Sequence, residues 1–206
     1  MKSKETLCLG LDTTSDTTSV ACLSGMGESA AVQQDLSRGQ GEVLFDLIQQ
    51  VLQKMHKSPS DLTHIAVTVG PGSFTGVRIG LATARGLGLA LNIPVLGIDN
   101  FLATAYEQGQ SVKVVLDSKR DDYFVQDFNK NIPLCAPIIQ TTAQLKNTLP
   151  FAACGNGAQK LAEQIGCTVI QPKQSLAMAA AQIALKIPQK TTAAHPLYLR
   201  DADVTI

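Results

Sequence analysis

The fold is organised around one stretch of sequence, Val67-Thr68-Val69-Gly70-Pro71-Gly72-Ser73-Phe74-Thr75-Gly76-Val77-Arg78-Ile79-Gly80. The apolar run from Ile65 to Val69 is bounded by turn residues and predicts a buried strand. Gly70-Pro71-Gly72 predicts a sharp reversal of the backbone, and Ser73 is a residue type that caps the start of a helix. The stretch therefore predicts a core strand, a tight turn and a helix that runs to about Leu91.

The predicted helix carries small residues at every fourth position, namely Gly76, Gly80, Ala84 and Gly88. A glycine inside a helix costs about 1 kcal/mol relative to alanine, so a close contact must offset this cost. Residues four apart share one side of a helix, and this side would form a groove that another backbone can approach closely. The neighbour in the groove can be a second polypeptide or another helix of the same chain.

The composition describes a globular protein without a dominant charge. Of the 206 residues, 45% are hydrophobic, and 17 lysines and arginines balance 17 aspartates and glutamates. Such a balance gives no overall field for nucleic acid or a membrane, so any link to RNA would need a partner. The five cysteines include no Cys-x-x-Cys pair, and no apolar run reaches the length of a membrane span. These features predict a cytoplasmic protein.

Helices and strands are predicted to alternate after an initial group of three antiparallel strands. The spacing of apolar residues predicts a helix from Gly41 to about Lys57, and its apolar arc is wide enough to face two neighbours. Strands that alternate with helices form parallel crossovers onto one sheet. The sequence therefore predicts an α/β fold with an N-terminal lobe over residues 1–99. A reduced C-terminal lobe over residues 100–206 would end in an ordered tail, with Tyr198 packed inward.

The second half of the sequence repeats the opening of the first half. Leu11-Asp12 ends a predicted strand and opens a polar turn, and Leu116-Asp117 does the same 105 residues later (117 − 12). Val20 matches Val125 at the same offset. The shared sequence of strand, turn and strand predicts that the two halves derive from one duplicated unit.

The glycine turn and two aspartates are the candidate nucleotide-binding features. The turn from Gly70 to Gly76 joins a strand to a helix, where backbone N–H groups favour an anion. It matches neither the dinucleotide pattern nor the P-loop pattern, so a purely geometric role stays open. Asp12 and Asp117 end strands at positions where a two-lobed nucleotide fold holds phosphate or magnesium, but bulky Lys119 and Arg120 follow Asp117. The histidines, cysteines and carboxylates show no metal-ligand spacing.

Several motifs resemble those of one protein family. They are Val69-Gly70-Pro71-Gly72-Ser73-Phe74-Thr75-Gly76-Val77-Arg78-Ile79-Gly80, Leu11-Asp12-Thr13-Thr14, Leu116-Asp117-Ser118-Lys119-Arg120, Gly155-Asn156-Gly157-Ala158 and Pro196-Leu197-Tyr198-Leu199-Arg200. The first is similar to the signature of the bacterial TsaB family, also called YeaZ, and the others agree with it over nearly the whole chain. The resemblance implies a duplicated actin-like and sugar-kinase-like (ASKHA) fold with two lobes, each a mixed sheet flanked by helices.

The resemblance also implies a role in making N6-threonylcarbamoyladenosine next to the anticodon of tRNA. The implied partners are a catalytic transferase, TsaD, a small ATPase, TsaE, and a second copy of the chain, with tRNA contacted only through the complex. TsaD-like proteins carry a His-x-x-x-His metal motif where this sequence has Asn100 and Thr104, and neither residue can replace an imidazole ligand. The chain therefore resembles a non-catalytic relative without a metal.

Bulky Lys119 and Arg120 in the second turn predict that the isolated chain binds ATP weakly or not at all, and nucleotide binding at the boundary of a complex stays open. The residues that would remain from a nucleotide site are Asp12, Thr13, Asp117, Gly155 and Gly157. Pairing with a partner would use helices of the N-terminal lobe, in agreement with the small-residue groove. The expected interface residues are Leu44, Leu47, Ile48, Val51, Gly76, Val77, Gly80, Ala84, Leu87 and Gly88. Gly80→Leu or Ala84→Leu is then expected to block pairing and to leave the chain folded.

Two enzymatic alternatives stay open. A phosphotransferase of the sugar-kinase or acetate-kinase type would use Asp12 and Asp117, and it would turn over ATP without a partner. A glycoprotease-like metallopeptidase would need a bound metal, and the sequence lacks the ligands for one.

Overall fold

The structure is a computed structural model, which describes residues 5–36, 38–187 and 194–200. The chain forms two compact units. The first contains the described residues up to Asp99 together with the segment from Gln174 to Pro196, and the second contains the rest. Among the described residues, no helix combines the length and the hydropathy that crossing a membrane requires.

The first unit follows the predicted order of strands and helices. In chain order its elements are β1 (Leu7–Asp12), β2 (Thr17–Ser24), β3 (Ser29–Asp35), α1 (Gln40–Lys54), β4 (His64–Thr68), α2 (Phe74–Leu91) and β5 (Val95–Ile98). A short 3-10 turn, Pro59–Asp61, precedes β4. Ser73 caps α2 as predicted, because its hydroxyl oxygen accepts a hydrogen bond from the N–H of Gly76.

The strands of the first unit form one mixed sheet in the order β3-β2-β1-β4-β5. β1, β2 and β3 are antiparallel, whereas β1, β4 and β5 run parallel, with α2 as the crossover between β4 and β5. All residues of β1 and β4 are buried, as expected for strands covered on both faces. Asp12 and Thr68 end their neighbouring parallel strands and therefore meet at one edge of the sheet.

The second unit contains a second mixed sheet. Its elements are α3 (Asn100–Ala105), β6 (Ser111–Asp117), β7 (Asp122–Asn129), β8 (Ile132–Pro133), β9 (Ile138–Thr141), α4 (Thr142–Lys146), β10 (Ala152–Cys154), α5 (Ala158–Ile165) and β11 (Thr168–Ile170). Within the described residues the sheet order is β11-β10-β6-β7-β8, and β9 also pairs with β7. β8, β9 and α4 were not predicted from the sequence. Phe101 and Phe128 belong to one core cluster of this unit, and Tyr123 and Leu161 to another.

The duplication is visible in the two hairpins, although their turns differ by one residue. β1 pairs with β2, and β6 pairs with β7, as predicted. Leu11 pairs with Val20, but Leu116 pairs with Phe124 rather than with Val125. The second turn is therefore one residue tighter, and the offset of 105 residues holds for the first strand of each hairpin only.

The last helix, α6 (Leu176–Lys186), belongs to the first unit rather than to a contiguous C-terminal lobe. It packs against β1, β2 and β4 with a face made mostly of alanines. Gly10 permits this contact, since a Cβ on Gly10 would lie 2.0 Å from the carbonyl oxygen of Ala177. The predicted C-terminal lobe over residues 100–206 therefore lacks the segment from Gln174 to Pro196, which belongs to the first unit.

In the tail, the residue that packs inward is Leu199 and not the predicted Tyr198. Leu199 packs against the second unit's core, and Arg200 forms an ion pair with Asp122. Tyr198, which was expected to be buried, is 42% exposed. Residues 201–206 of the predicted tail, and 188–193 before it, lie outside the described residues.

Candidate functional site

The first candidate site is the loop that follows β1, and it is closed by its own side chains. Asp12 is 2% exposed. Its Oδ1 atom accepts hydrogen bonds from the N–H of Thr14 at 3.1 Å, from the Thr14 hydroxyl at 2.6 Å and from the Thr68 hydroxyl at 2.6 Å. Burial raises the pKa of the Asp12 carboxyl, and the bonds from Thr14 and Thr68 oppose this shift in part. Asp12 is therefore an internal acceptor that fixes the loop.

Thr13 joins this loop to the glycine side of α2. Its hydroxyl donates a hydrogen bond to the carbonyl oxygen of Gly76 at 2.6 Å. A Cβ on Gly76 would lie 1.9 Å from the Thr13 carbonyl oxygen, and one on Gly80 would lie 2.7 Å from the Thr13 hydroxyl. The loop can lie this close to the helix only because both positions lack a side chain.

The start of α2 is also satisfied from within the chain. The N–H of Ser73 donates to the carbonyl oxygen of Thr14 at 2.7 Å, and the N–H of Gly76 donates to the Ser73 hydroxyl at 3.2 Å. Gly70 has a φ of +98°, and a Cβ on Gly72 would lie 2.4 Å from the Thr14 carbonyl oxygen. These two N–H groups, which an anion would use at a helix start, thus already have acceptors. The glycine turn thus has a structural role, since it allows the loop after β1 to pack against the start of α2.

The second candidate site is the corresponding turn of the second unit, and it is more open. The Asp117 side chain is 16% exposed, and its carboxylate lies 3.7 Å from the Lys119 ammonium and 3.5 Å from that of Lys160. The N–H of Lys119 donates to Asp117 Oδ1 at 2.9 Å, and Lys119 itself has a φ of +62°. Asp117 is therefore a partly exposed carboxylate that neighbours two lysines.

Gly155 and Gly157 support this second turn in the way that Gly72 and Gly76 support the first. Gly155 has a φ of +120°, and a Cβ on Gly157 would lie 3.0 Å from the backbone nitrogen of Asp117. Asn156 between them accepts a hydrogen bond from that same N–H through its Oδ1 atom, at 3.0 Å. Of the five predicted nucleotide-site residues, Asp12 and Thr13 therefore lie at the first turn, Asp117 lies at the second, and Gly155 and Gly157 lie in the loop that packs against the second turn.

The structure corrects the predicted interface on the inner side of α2. The groove along this helix is filled by the protein itself: Thr13 covers Gly76 and Gly80, and Val95 covers Gly88. The side chains of the other predicted interface residues on the inner sides of the two helices are buried in the core, namely Leu44, Leu47, Val51, Val77 and Ala84. Gly80→Leu would collide with Thr13 and Val67, so it is expected to disturb the fold rather than to block pairing alone.

The outer sides of α1 and α2 carry exposed apolar residues, of which Phe45 and Leu89 are absent from the predicted interface. Phe45 is 58% exposed and Leu89 is 86% exposed. A groove of about 520 Å³ lies beside Phe45, and its lining also includes the buried Leu52 and Leu62 and two of the predicted residues, Ile48 and Leu87. Gly86 has open space where a Cβ would point. We call Phe45, Gly86, Leu87 and Leu89, together with the buried Ile48 that lines the groove, the outer face of α1 and α2.

Helix α3 carries the two residues at the positions where TsaD-like proteins are expected to have histidines. Asn100 and Thr104 are 3% and 2% exposed and lie one turn apart. The carbonyl oxygen of Thr104 accepts hydrogen bonds from Gln108 and from the thiol of Cys154. Within the described ranges, no group of three or more His, Cys, Asp or Glu side chains is arranged to hold a metal ion.

The sequence and fold comparisons agree with this geometry. Residues 31–193 match the family model of TsaD, tRNA N6-adenosine threonylcarbamoyltransferase. The chain is 28% identical over 174 residues to the tRNA threonylcarbamoyladenosine biosynthesis protein TsaB of Buchnera aphidicola, a match that covers 76% of this chain and 78% of that protein. The chain belongs to this family, in its TsaB/YeaZ branch.

Solved structures show the same fold. The TsaB/YeaZ chain superposes on a Pseudomonas aeruginosa protein described as similar to peptidase YeaZ, with a TM-score of 0.79 and 21% identity over 95% of this chain and all of that one. It also resembles component A of the Acidaminococcus fermentans (R)-2-hydroxyglutaryl-CoA dehydratase, with a TM-score of 0.56 and 12% identity over 88% of this chain and 98% of that one. The predicted fold class, a duplicated actin-like fold with two mixed sheets flanked by helices, is confirmed.

Proposed function

We propose that the chain is a non-catalytic subunit of the cytoplasmic machinery that makes N6-threonylcarbamoyladenosine in tRNA, and that it pairs with a TsaD-like catalytic subunit. Membership of the TsaD family, over residues 31–193, connects the chain to this modification. A relative named TsaB, from Buchnera aphidicola, carries the same modification in its name. In this proposal tRNA reaches the chain only through the complex.

The observation that carries the non-catalytic role is the pair Asn100 and Thr104. In the catalytic relatives, the resemblance places two metal-binding histidines one helical turn apart at these positions. Here an amide and a hydroxyl stand one turn apart on α3, both buried. Neither group offers the nitrogen lone pair of an imidazole, so a transition metal would lose two ligands. The transferase chemistry is therefore assigned to the partner.

The closed loop after β1 supports a further part of the proposal, that the isolated chain has little affinity for ATP. The N–H of Ser73 is bonded to Thr14, and Oδ1 of Asp12 already accepts three hydrogen bonds. A phosphate group would have to displace these contacts. We therefore assign ATP hydrolysis to a separate TsaE-like subunit of the complex, with nucleotide held weakly by this chain or at a subunit boundary.

The outer face of α1 and α2 is the proposed pairing surface. An exposed phenylalanine beside an apolar groove is typical of the buried centre of a protein interface, where aromatic side chains contribute most of the binding energy. Gly86 adds a position where a partner backbone can approach α2 without meeting a side chain. This surface replaces the inner groove of the sequence-based prediction, while it keeps the same two helices.

A co-expression experiment tests the pairing. The chain is co-purified with the TsaD-like subunit of the same organism, the affinity is measured, and the two subunits are assayed for tRNA modification with a TsaE-like ATPase. Phe45→Asp is expected to lower the affinity at least about tenfold, because it places a charge in the apolar interface. Leu134→Asp is the matched control, since Leu134 is 61% exposed, close to the 58% of Phe45, and lies in the second unit.

A second pair of variants separates steric blocking from helix stability. Gly86→Leu is expected to weaken pairing, whereas Gly86→Ala keeps the surface nearly flat and makes α2 a better helix. Normal affinity of Phe45→Asp and Gly86→Leu for the TsaD-like subunit would refute this pairing surface. Self-association that is lost in the same variants, without any TsaD binding by the wild type, would identify a homodimer face instead.

A further inference from the structure

The loop after β1 is bonded to α2 more extensively than a simple connection requires. Thr13 donates to Gly76, Thr14 accepts from Ser73, and Asp12 fixes Thr14. The Thr14 carbonyl therefore accepts a hydrogen bond from the residue that caps the start of α2. The loop is therefore held against the start of α2 by hydrogen bonds within the chain. We call the bonds that join Thr13 and Thr14 to the start of α2, together with the Asp12 bonds that fix Thr14, the loop lock.

We propose that Thr13 and Asp12 are positioning residues for the pairing surface, and that the loop lock sets where the outer face of α2 lies. This inference rests on the proposed function. Gly86 follows Ala84 by two residues, which is about 200° around the helix, so it lies opposite the side that the loop lock and the sheet hold. Because the inner contacts are close-packed, the 18-residue helix cannot shift on one side without shifting on the other.

The geometry favours Thr13 as the decisive contact. Thr13 is fully buried, and its hydroxyl donates a 2.6 Å hydrogen bond to the carbonyl oxygen of Gly76 in α2. Without the hydroxyl, α2 can move relative to the loop while the glycine side still permits close packing. A surface held in its binding geometry binds more tightly, since less ordering is needed on association. The loop lock would thus support the partner surface from the inner side of α2.

The test compares two buried threonines of the first unit. Thr13→Val removes a hydroxyl that is bonded to α2, and it is expected to lower affinity for the TsaD-like subunit about tenfold. Thr18→Val removes an equally buried hydroxyl on β2 that has no hydrogen-bond partner among the described residues, so the affinity of this variant should stay at the wild-type value. Thr13→Ser keeps the hydroxyl and is expected to restore most of the affinity.

A control for general destabilisation distinguishes positioning from a merely structural role. Leu161→Ala opens a cavity in the second unit's core and should lower the melting temperature without changing pairing at temperatures where the chain is folded. If Thr13→Val binds like the wild type, or loses no more affinity than Leu161→Ala, the proposal is overturned. If Thr13→Val does not fold, Thr13→Cys takes its place, because a thiol of similar size is a weaker donor.

The outcome also separates this inference from the pairing proposal itself. Should Phe45→Asp keep its affinity, the pairing surface is wrong, whatever Thr13→Val does. If Phe45→Asp loses affinity while Thr13→Val does not, the pairing surface stands and only the positioning role fails. Loss of affinity in both, with rescue by Thr13→Ser, is the expected result.

Discussion

The two units place an aspartate at the same point of a hairpin and use it in opposite ways. Asp12 is buried and serves as the acceptor of three hydrogen bonds from its own loop and from Thr68. Asp117 is partly exposed and lies beside Lys119 and Lys160. Both turns rest on glycines that precede a helix. The duplication has thus preserved the backbone arrangement, while a few loop side chains decide whether the aspartate is a structural acceptor or a surface charge.

The largest expected difference between the units concerns the glycine under each loop. Gly76→Ala would place a methyl group 1.9 Å from the Thr13 carbonyl oxygen, and we expect it to lower the free energy of unfolding by about 3 kcal/mol or more. Gly157→Ala would place a methyl group 3.0 Å from the Asp117 nitrogen, with an expected loss of about 1 kcal/mol. Urea denaturation of each variant measures the two losses.

Gly86→Ala is the control for helix propensity. It lies in the same helix as Gly76 but in open space, so it is expected to stabilise the protein by up to about 1 kcal/mol. Equal losses for Gly76→Ala and Gly157→Ala would contradict the view that only the first loop is locked against its helix.

The second prediction compares the aspartates. Asp12→Ala leaves two hydroxyls and one N–H without their acceptor in a buried site, and we expect it to cost about 3 kcal/mol. Asp117→Ala removes one backbone acceptor and two partly exposed ion pairs, with an expected cost of about 1 kcal/mol. Chemical unfolding under the same conditions measures both. Asp12→Asn keeps an oxygen acceptor and should be much milder than Asp12→Ala; a similar loss for both would argue against the acceptor role.

The sequence predicts the strand, turn and helix around Gly70 to within one or two residues, because their signals are local. Glycine, proline and the Ser73 cap act within a few residues of the boundaries that they set. The small residues along α2 also correctly indicate a close backbone contact. Their spacing cannot identify the neighbour, since a loop of the same chain and a second polypeptide impose the same requirement. In the structure the neighbour is a loop of the same chain, since the Thr13 hydroxyl donates a hydrogen bond to the Gly76 carbonyl oxygen.

Other elements escape prediction for different physical reasons. β8 and β9 are short strands whose position depends on pairing with β7, and their residues show no alternating pattern. α4 has only five residues, although Thr141 and Gln144 form the capping box that could have revealed it. The sequence of the alanine-rich α6 does not indicate which of the two sheets the helix packs against. Its position follows from the fit of Ala177 over Gly10, 167 residues away (177 − 10).

The third prediction is an opposite pH dependence at two carboxyls. Burial raises the pKa of Asp12 above its ordinary value of 3.8, so the stability it contributes is complete below pH 3.8 and is lost as the pH rises through the folded-state pKa. Burial acts in the same direction on Asp122, but bonds from Ser118 and Arg200 outweigh it and lower the pKa. The stability from Asp122 is therefore present above pH 3.8 and is lost as the pH falls through its folded-state pKa.

Unfolding free energies measured from about pH 3 to pH 7 check these signs. Relative to the wild type, Asp12→Asn should gain stability as the pH rises, because it cannot acquire a buried charge. Asp122→Asn should lose stability over the same range, since the wild type gains its ion pair with Arg200 there. If the curve of Asp12→Asn runs parallel to that of the wild type, the pKa of Asp12 is not raised.

The smallest expected effect is that of ATP on the isolated chain. In the first unit a phosphate would have to break the bond from Ser73 to Thr14, and in the second it would meet a turn in which Asp117 already holds the N–H of Lys119. A ligand present far below its dissociation constant adds almost nothing to stability, so millimolar MgATP should leave the melting temperature nearly unchanged. Titration calorimetry that gave micromolar affinity, or turnover of ATP without a partner, would favour the phosphotransferase reading. It would also mean that the loop lock opens for a nucleotide, which would make Asp12 a ligand rather than a support.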